Sequence, residues 1–475
     1  MVAMQLSEEL IRSVVHEVLA QMGGTGAGSK APVRVSGGSW GVFPTIDQAV
    51  AAASDAFQEY RRRPLRDRDA AVQRIKQICI EQAEELGRKE LEETGIGRLD
   101  HKIAKLAVGI PPTPGVEYLR TLCDSGDAGT VLTDFAPFGV IGAITPVTHS
   151  LPTLASNAIS MLAAGNTVVF NAHPSGARIA AEGVRRFNQA IAKAIGIENL
   201  LTIVEKPTLE TAQQLFSHNG VRLLVVTGGP AVARAALASP KRAIVAGPGN
   251  PPVVVDATAC LDGAARSIIE GGAYDNNLLC IGEKQVFAVA EIFDRLMEAM
   301  GRFGGFRLTE AQIDALTRAA FTMGADGKPH VNKDLVGKDP EVLGRHAGVE
   351  VPKGTQLLYG ETDFRHPFVQ EEQMMPFIPF VRVPDVKRAI ELARESEHGY
   401  GHTAVLHSRD TGVMQAMGRA MNCTIYVVNG PSTAGLAPPA VSSFSIAGPT
   451  GEGVVTPLTF TRSRRTSIIG GMRFL

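Results

Sequence analysis

Short apolar runs alternate with stretches of helical periodicity between residues 140 and 239 of this 475-residue chain. Short runs rich in Val, Ile and Leu, such as Val140–Thr145, are followed by stretches with helical periodicity, such as Leu154–Ala164. This alternation predicts βαβ units and a parallel sheet. We expect an α/β fold with a Rossmann-type nucleotide-binding domain that binds its ligand at the carboxyl ends of the strands. The other predicted strands and helices are 166–170, 176–195, 200–204, 208–217, 221–226 and 230–239.

A second alternating region begins near Gly247 and contains predicted strands at Pro252–Asp256 and Gln285–Val289. We therefore expect two α/β domains, the first over residues 39–249 and the second over residues 250–445.

Residues 46–106 carry helical periodicity, and a strand is predicted at Thr130–Thr133. The segment Leu458–Ile468 also has a strand pattern. Such a strand must pair with something, and another subunit is a candidate. Residues 114–137 and 446–475 are therefore predicted to form a β oligomerisation arm.

Residues 5–22 form a helical stripe in which apolar side chains recur every four positions from Leu6 to Met22. Charged residues occupy the other face, so the segment predicts an amphipathic helix. The Gly-rich residues 23–38 predict a flexible linker. Two interpretations stay open: the helix docks on another protein, or it folds back on its own domain.

The formal net charge is −1, so no global basic field is present to attract nucleic acid. The arginine clusters at 61–63 and 462–465 are interpreted as solvated faces. No apolar run reaches membrane-spanning length. Charged residues interrupt the first 17 positions, which argues against a secretory signal or a transit peptide. A cytoplasmic protein is expected.

Cysteine and histidine spacing excludes two kinds of site. The five cysteines form no CxxC pair, which indicates a reducing compartment without structural disulfides. No metal-ligand spacing is found, and no metal is expected. His398 and His402 are interpreted as surface or core residues.

Cys280 is the main candidate for chemistry. It lies where a segment with two asparagines meets the apolar strand Gln285–Val289. A thiol at the mouth of such a turn would be exposed, and nearby backbone amides would stabilise its thiolate. The same amides would hold the oxyanion that forms when a thiolate attacks a carbonyl. The alternative is a small buried core residue.

Gly228 and Gly229 stand directly after a predicted strand, and Pro230 begins a predicted helix. Glycines at this place allow a phosphate to approach the backbone. A purely structural turn is the alternative.

Eight segments in fixed order resemble the aldehyde dehydrogenase superfamily over residues 40–475. The resemblance implies a Rossmann-type domain, a catalytic domain and an oligomerisation arm. The segments are 137–146, 163–170, 226–229, 249–251, 277–280, 372–377, 399–403 and 428–429.

One departure from the family's hydrolytic branch is informative. That branch has a glutamate that activates water on the acyl-enzyme, whereas the segment 243–250 here holds no carboxylate. The chain therefore resembles the CoA-acylating branch, close to the propionaldehyde and acetaldehyde dehydrogenases of bacterial microcompartments. Segments 366–376 and 443–451 fit that group. Residues 5–22 then resemble its encapsulation peptide, which docks on a shell protein.

The resemblance implies a role for several residues. Cys280 is the nucleophile, and Thr148, with His149 as its neighbour, is the candidate side chain for the oxyanion hole. NAD is the expected cofactor, with NADP as the alternative. Coenzyme A is the expected co-substrate. The nicotinamide is expected near Thr145 and Pro146. The remaining implied cofactor contacts are Gly228 and Gly229 for the pyrophosphate, Glu372 for the ribose, and Asn171, in place of the usual lysine, with His173 beside it.

The substrate is expected to be a short-chain aldehyde, with propionaldehyde favoured over acetaldehyde. NAD and CoA would share one groove in turn. The resemblance implies a homodimer or homotetramer, because the family's β arm pairs with another subunit. A hydrolytic dehydrogenase and a non-catalytic microcompartment scaffold remain alternatives. The predicted pocket residues are Tyr274, Leu278, Ile281, Val441 and Phe444.

Overall fold

The computed structural model describes residues 39–324 and 327–470. The predicted helix 5–22 and linker 23–38 lie outside the described residues. The first domain contains six strands, β1 Val42–Phe43, β4 Val140–Thr145, β5 Thr167–Ala172, β6 Leu201–Val204, β7 Leu223–Thr227 and β8 Ala243–Ala246. They form one parallel sheet in the order β1-β6-β5-β4-β7-β8.

Helices cover both faces of this sheet because alternate strand residues point to opposite sides. Phe170 and Ile203 join the core formed with helices on one side. Thr202 points to the other side, where its hydroxyl donates to the carbonyl of Ala49 at 3.1 Å. The helices are α1 Ile46–Tyr60, α2 Leu65–Glu81, α3 Ala83–Thr94, α4 Leu99–Ala104, α5 Ser150–Ala163, α6 Ala177–Ile195, α7 Leu209–Ser217 and α8 Pro230–Leu237.

Strand β4 is central and pairs with β5 on one side and β7 on the other. The chain thus reverses its direction of winding at β4, and a crevice opens at the carboxyl ends of β4 and β7. Thr145 is the last residue of β4, and Pro146 follows it. Gly228 and Gly229 follow β7. The predicted parallel sheet is confirmed, with element bounds that differ by at most four residues.

The second domain also has a parallel sheet. Its strands are β9 Pro252–Val255, β10 Gln285–Val289, β11 Gly305–Arg307, β14 Leu357–Glu361, β15 Phe377–Val383, β16 Thr403–His407 and β17 Ile425–Val428. Their order is β11-β14-β15-β10-β9-β16-β17. The helices are α9 Leu261–Ala273, α10 Ala290–Arg302, α11 Glu310–Ala320, α12 Pro340–His346, α13 Pro367–Gln370, α14 Val386–Ser396 and α15 Thr411–Met421.

Three antiparallel strands form a separate sheet, β2 Leu122–Gly126, β3 Gly129–Pro137 and β20 Thr461–Ile469, with β3 in the centre. The strand predicted from Leu458 begins only at Thr461, because Pro457–Phe460 forms a 3-10 turn capped by Thr456. Two short antiparallel pairs complete the fold. They are β12 Phe321–Met323 with β13 Pro329–Val331, and β18 Ile446–Ala447 with β19 Gly453–Val454.

Only part of the predicted oligomerisation segment 446–475 joins this sheet. Ala447, Val455 and Phe460 pack instead into the core of the first domain. Asn166 Nδ2 in that domain donates to the carbonyl of Phe460 at 2.9 Å. Pairing of the sheet with another subunit stays a prediction. Within the part of the chain that the structure covers, no helix is long and apolar enough to cross a membrane.

Candidate active site

Three consecutive residues shortly before Cys280 have a left-handed backbone conformation. They are Asp275 (φ 50°, ψ 42°), Asn276 (φ 54°, ψ 40°) and Asn277 (φ 65°). Asp and Asn tolerate this region better than most side chains, yet each residue held there costs on the order of 1–3 kcal/mol. The turn 275–277 therefore needs anchors from the surrounding structure.

Hydrogen bonds from distant segments provide those anchors. Asp275 Oδ1 accepts from the backbone N–H of Arg98 at 2.8 Å. Asn276 Nδ2 donates to the carbonyl of Gly337 at 3.0 Å. Both side chains are fully buried, so these bonds are not exchanged with water. The turn is therefore held by the first domain and also by a loop of the second domain.

The ammonium of Lys284 is fully buried beneath the same turn. Its Nζ donates to the carbonyl of Asn277 at 2.8 Å, to Asn277 Oδ1 at 2.5 Å and to the carbonyl of Leu279 at 3.1 Å. Burial lowers the pKa of Lys284 to about 8, while the charges of Glu372 and Cys280 favour its protonated form. Three acceptors thus use all three protons of the ammonium.

Cys280 is partly exposed directly after this turn. Burial of the sulfur raises the thiol pKa to about 12, and the Glu372 carboxylate adds to the rise. Lys284 and the backbone amides of Cys280 and Ile281 act in the opposite direction. The amides therefore favour the thiolate as expected. Burial and Glu372 outweigh these groups, so the net effect of the surroundings is a raised thiol pKa.

The carboxyl group of Glu372 also acts on Cys280 through its charge. It accepts the backbone N–H of Gly249, and burial raises its pKa to about 7 against the opposing charge of Lys284. The segment 243–250 has no carboxylate of its own, but Glu372 brings one within electrostatic range of Cys280. The role of Glu372 at the cofactor ribose stays a prediction.

Gly249 packs directly against the cysteine loop. A Cβ at this position would lie 2.7 Å from the carbonyl oxygen of Cys280 and 2.9 Å from Cγ of His402, so only glycine fits. Burial lowers the pKa of His402 to about 4, which keeps it neutral. His398 is exposed, and its Nε2 lies 2.7 Å from the carbonyl of Gln370. One of these histidines is thus a core residue and the other a surface residue.

The residues predicted to hold the dinucleotide lie at the carboxyl edge of the first sheet. The hydroxyl of Thr145 is buried and has no hydrogen-bond partner among the described residues. A Cβ on Gly229 would meet no atom within 4 Å. A buried orphan hydroxyl and open space above a helix N-terminus fit a phosphate-bearing ligand in the crevice.

Asn171 and His173 follow the neighbouring strand β5. The Oδ1 of Asn171 accepts from the Thr211 hydroxyl at 2.6 Å, so this oxygen is already used within the fold. His173 is exposed, and its Nδ1 accepts the backbone N–H of Ser175 at 3.2 Å. Its other nitrogen, Nε2, is then the proton-bearing one when the ring is neutral.

The predicted oxyanion residues lie at the start of α5. The carbonyl of Thr148 accepts from Lys102 Nζ at 3.1 Å, and His149 is buried with its Nδ1 2.8 Å from Lys105 Nζ. His149 also packs against Phe444, with ring centroids 5.9 Å apart. The choice of oxyanion donor stays a prediction.

The five predicted pocket residues divide into two groups. Tyr274, Val441 and Phe444 keep exposed surface. Leu278 and Ile281 are 1% and 3% exposed, so they support the loop from behind. The assignment of these five residues to the aldehyde pocket stays a prediction.

Comparison with known proteins identifies the family. The aldehyde dehydrogenase family model matches residues 44–304. The acetylating acetaldehyde dehydrogenase EutE of Salmonella typhimurium is 42% identical over 92% of this chain and 94% of its own length. This chain belongs to the aldehyde dehydrogenase family. The resemblance to its CoA-acylating branch is confirmed, and so is the prediction of an enzyme.

Solved structures of relatives agree with this assignment. Rhodopseudomonas palustris propionaldehyde dehydrogenase with bound propionyl-CoA has 42% identity and a TM-score of 0.88, covering 94% of this chain and 99% of its own. Another structure of that protein holds CoA and an acylated cysteine.

A propionaldehyde dehydrogenase from the Clostridium phytofermentans fucose utilisation bacterial microcompartment has 39% identity and a TM-score of 0.89. It covers 92% of this chain and 100% of its own. Variants of it with one histidine or one cysteine replaced by alanine have also been solved.

Three buried lysines near the site were not singled out from the sequence, namely Lys102, Lys105 and Lys284. Lysine is almost never fully buried unless it is paired. The pair Glu283-Lys284 stands directly before the apolar strand β10, and this charge pair within a buried stretch was the available signal. Lys102 and Lys105 lie in a helical segment with other charges and gave no such signal.

Proposed function

We propose that this chain oxidises a short-chain aldehyde, with propionaldehyde favoured, to the acyl-CoA while NAD is reduced. The observation that carries the proposal is the setting of Cys280. Its loop is fixed by a left-handed turn, its sulfur receives two backbone amides, and a buried ammonium and a carboxylate act on its thiol.

The first step forms the bond between Cys280 Sγ and the aldehyde carbon. Because the thiol pKa is about 12, its proton must pass to a base as the bond forms. Glu372, with a pKa of about 7, is the neighbouring carboxylate suited to receive it. The backbone amide of Cys280, together with Thr148 or His149, then donates to the new oxyanion.

The crevice between β4 and β7 is proposed to hold NAD, or NADP. Thr145 would receive a ligand hydrogen bond, and Gly228 and Gly229 would lie against the pyrophosphate, because their backbone is accessible at the start of α8. Bound NAD would accept the hydride that the carbon attached to Cys280 loses. The product of this half-reaction is a thioester on Cys280.

Release of the acyl group is proposed to depend on CoA. The thiol of CoA attacks the thioester carbonyl, the new carbon–sulfur bond replaces the bond to Cys280, and the Cys280 thiolate is reprotonated. Two facts support CoA over water: segment 243–250 lacks the hydrolytic glutamate, and an R. palustris relative was solved with CoA and an acylated cysteine. The hydrolytic alternative would use Glu372 as its base.

His398 is proposed to act near this second step. It lies as many residues after Cys280 as the substituted histidine lies after the substituted cysteine in the C. phytofermentans relative. It is exposed and its ring is held by the carbonyl of Gln370, so it is accessible to a large co-substrate.

Location in a bacterial microcompartment is also part of the proposal. It is supported by the amphipathic pattern of residues 5–22 and by the origin of the C. phytofermentans relative. Residues 1–22 fused to a fluorescent protein should co-purify with microcompartment shells. A fusion in which Leu10 and Val14 are replaced by glutamate should not, and equal capture of both would contradict the docking role.

Incubation with propionaldehyde, NAD and CoA tests the enzymatic proposal through its product. Mass spectrometry should detect propionyl-CoA in amounts equal to the NADH formed. Cys280→Ser should abolish both products while shell docking persists. Turnover by Cys280→Ser, or docking without any turnover by the wild type, would favour the other candidate functions.

A further inference from the structure

Five buried ionisable residues lie between the first domain and the turn 275–277. This charge network consists of Glu90, Lys102, Lys105, His149 and Asp275, and none of its members is more than 5% exposed. Two lysines and two carboxylates give formal charges that cancel. Burying such a set is costly unless each group is well paired. The network is therefore weak evidence for a purely stabilising role.

Lys105 is the centre of the charge network. Its Nζ contacts the Asp275 carboxylate and lies 2.8 Å from His149 Nδ1. An ammonium has only donors, so Nδ1 must accept and the imidazole proton must sit on Nε2. Burial and the charges of Lys105 and Lys102 hold the pKa of His149 well below its usual value. His149 is therefore a neutral ring in a single tautomer.

Lys102 and Glu90 hold the neighbouring backbone. Lys102 Nζ donates to the carbonyl of Thr148 at 3.1 Å and lies 3.5 Å from Asp275 Oδ2. Glu90 Oε1 accepts the backbone N–H of Ser150 at 3.0 Å. The network thus contacts residues 148–150 on the first domain and Asp275 on the other side.

We propose that Lys105 is a positioning residue that sets the segment 148–150, with the predicted oxyanion donors, against the loop that carries Cys280. The proposal rests on the proposed function. Donor and nucleophile come from different domains, and the contacts of Lys105 connect the two. A displacement of about 1 Å between such groups lowers the rate on the order of a hundredfold.

The test is Lys105→Met, measured in a single turnover with propionaldehyde and NAD and without CoA. The amplitude of NADH formation counts the folded sites, and its rate reports their geometry. We expect an amplitude near that of the wild type and a rate lower by about a hundredfold. KM for NAD should stay within about twofold, because the strand ends of β4 and β7 are untouched. A purely structural role would lower the amplitude and leave the rate unchanged, which would overturn the proposal.

Two further variants sharpen the result. Lys241→Met removes a lysine that donates to the carbonyl of Phe216 at 2.9 Å, far from the network, and should change neither quantity. Asp275→Asn removes the partner charge and keeps the shape, so it carries the test if Lys105→Met fails to fold. The double variant should be no slower than the slower single variant. If the fold reductions in rate of the two single variants multiply in the double variant, the two residues act independently.

A readout without turnover separates this proposal from the proposed function. The rate at which iodoacetamide alkylates Cys280, followed by mass spectrometry, should differ between Lys105→Met and the wild type, because the contact that holds Asp275 in the turn before Cys280 is lost. The alkylation rate of the reference Cys423 should not change. A wild type that forms no NADH would contradict the proposed function alone. Equal Cys280 alkylation in variant and wild type would contradict the positioning role.

Discussion

Lys284 and Asn277 are joined by two hydrogen bonds, since the lysine ammonium contacts both the backbone carbonyl and the side-chain oxygen of the asparagine at 2.8 and 2.5 Å. Asn277 is the last left-handed residue before Cys280. The buried ammonium therefore has two effects: it fixes the loop that carries the nucleophile, and its charge favours the thiolate.

Lys284→Met should impair both effects. Its removal leaves three buried oxygens without their donor, and we expect a loss of unfolding free energy of roughly 3 kcal/mol. The thiol pKa should rise, so alkylation of Cys280 at pH 8 should slow. A pH–rate profile of alkylation by iodoacetamide checks this. An unchanged profile in a folded variant would contradict the electrostatic role of Lys284.

Glu372→Gln should act on the thiol in the opposite direction. The carboxylate raises the pKa of Cys280, so its removal should speed alkylation at pH 8. If Glu372 also receives the thiol proton, the single-turnover rate with aldehyde should nevertheless fall, and its acid limb near pH 7 should disappear. An increase confined to KM for NAD would instead support the predicted contact with the ribose.

Gly229→Ala tests the predicted pyrophosphate site. The residue has φ −67°, and a Cβ there would meet no atom within 4 Å, so the variant should fold and melt like the wild type. A pyrophosphate against this backbone would clash with the new methyl group. We expect KM for NAD to rise about tenfold or more, which corresponds to about 1.4 kcal/mol. Unchanged kinetics would favour the purely structural turn.

Gly249→Ala is the matched comparison at the other side of the site. Its Cβ would lie 2.7 Å from the carbonyl of Cys280, so the loop must move. Single-turnover activity should fall strongly with little change in KM for NAD, in contrast to Gly229→Ala. Equal kinetic defects in the two variants would contradict the separate roles given to the two glycines.

His407→Leu should change the pH dependence of stability. His407 lies at the end of β16 with Nε2 buried and unpartnered among the residues described, and burial lowers its pKa to about 4. The unfolded chain therefore binds more protons between pH 6.5 and 4, and the stability that the neutral ring permits is lost as pH falls through this window. Relative to wild type, the variant should gain on the order of 2 kcal/mol between pH 7.5 and pH 5. Melting temperatures at both pH values check this, and a constant difference would contradict it.

The two sheets could be predicted from the sequence because apolar runs alternate with helical periods, which is a local signal. The left-handed turn 275–277 could not be predicted. That conformation depends on Arg98 and Gly337, which are distant in sequence, and the letters Asp-Asn-Asn alone fit an ordinary turn. The raised thiol pKa of Cys280 could not be predicted for the same reason: burial and Glu372 act through space. The burial of Leu278 and Ile281 beside the nucleophile could not be predicted either, because it depends on packing against distant segments.

The central claim is that the acyl group on Cys280 waits for CoA. The most direct measurement mixes the enzyme with propionaldehyde and NAD, follows NADH, and adds CoA after the first phase ends. The account predicts one NADH per site, a propionylated Cys280 in the mass spectrum, and renewed NADH formation only when CoA is added. Continuous NADH formation before CoA, with free propionate as product, would contradict it.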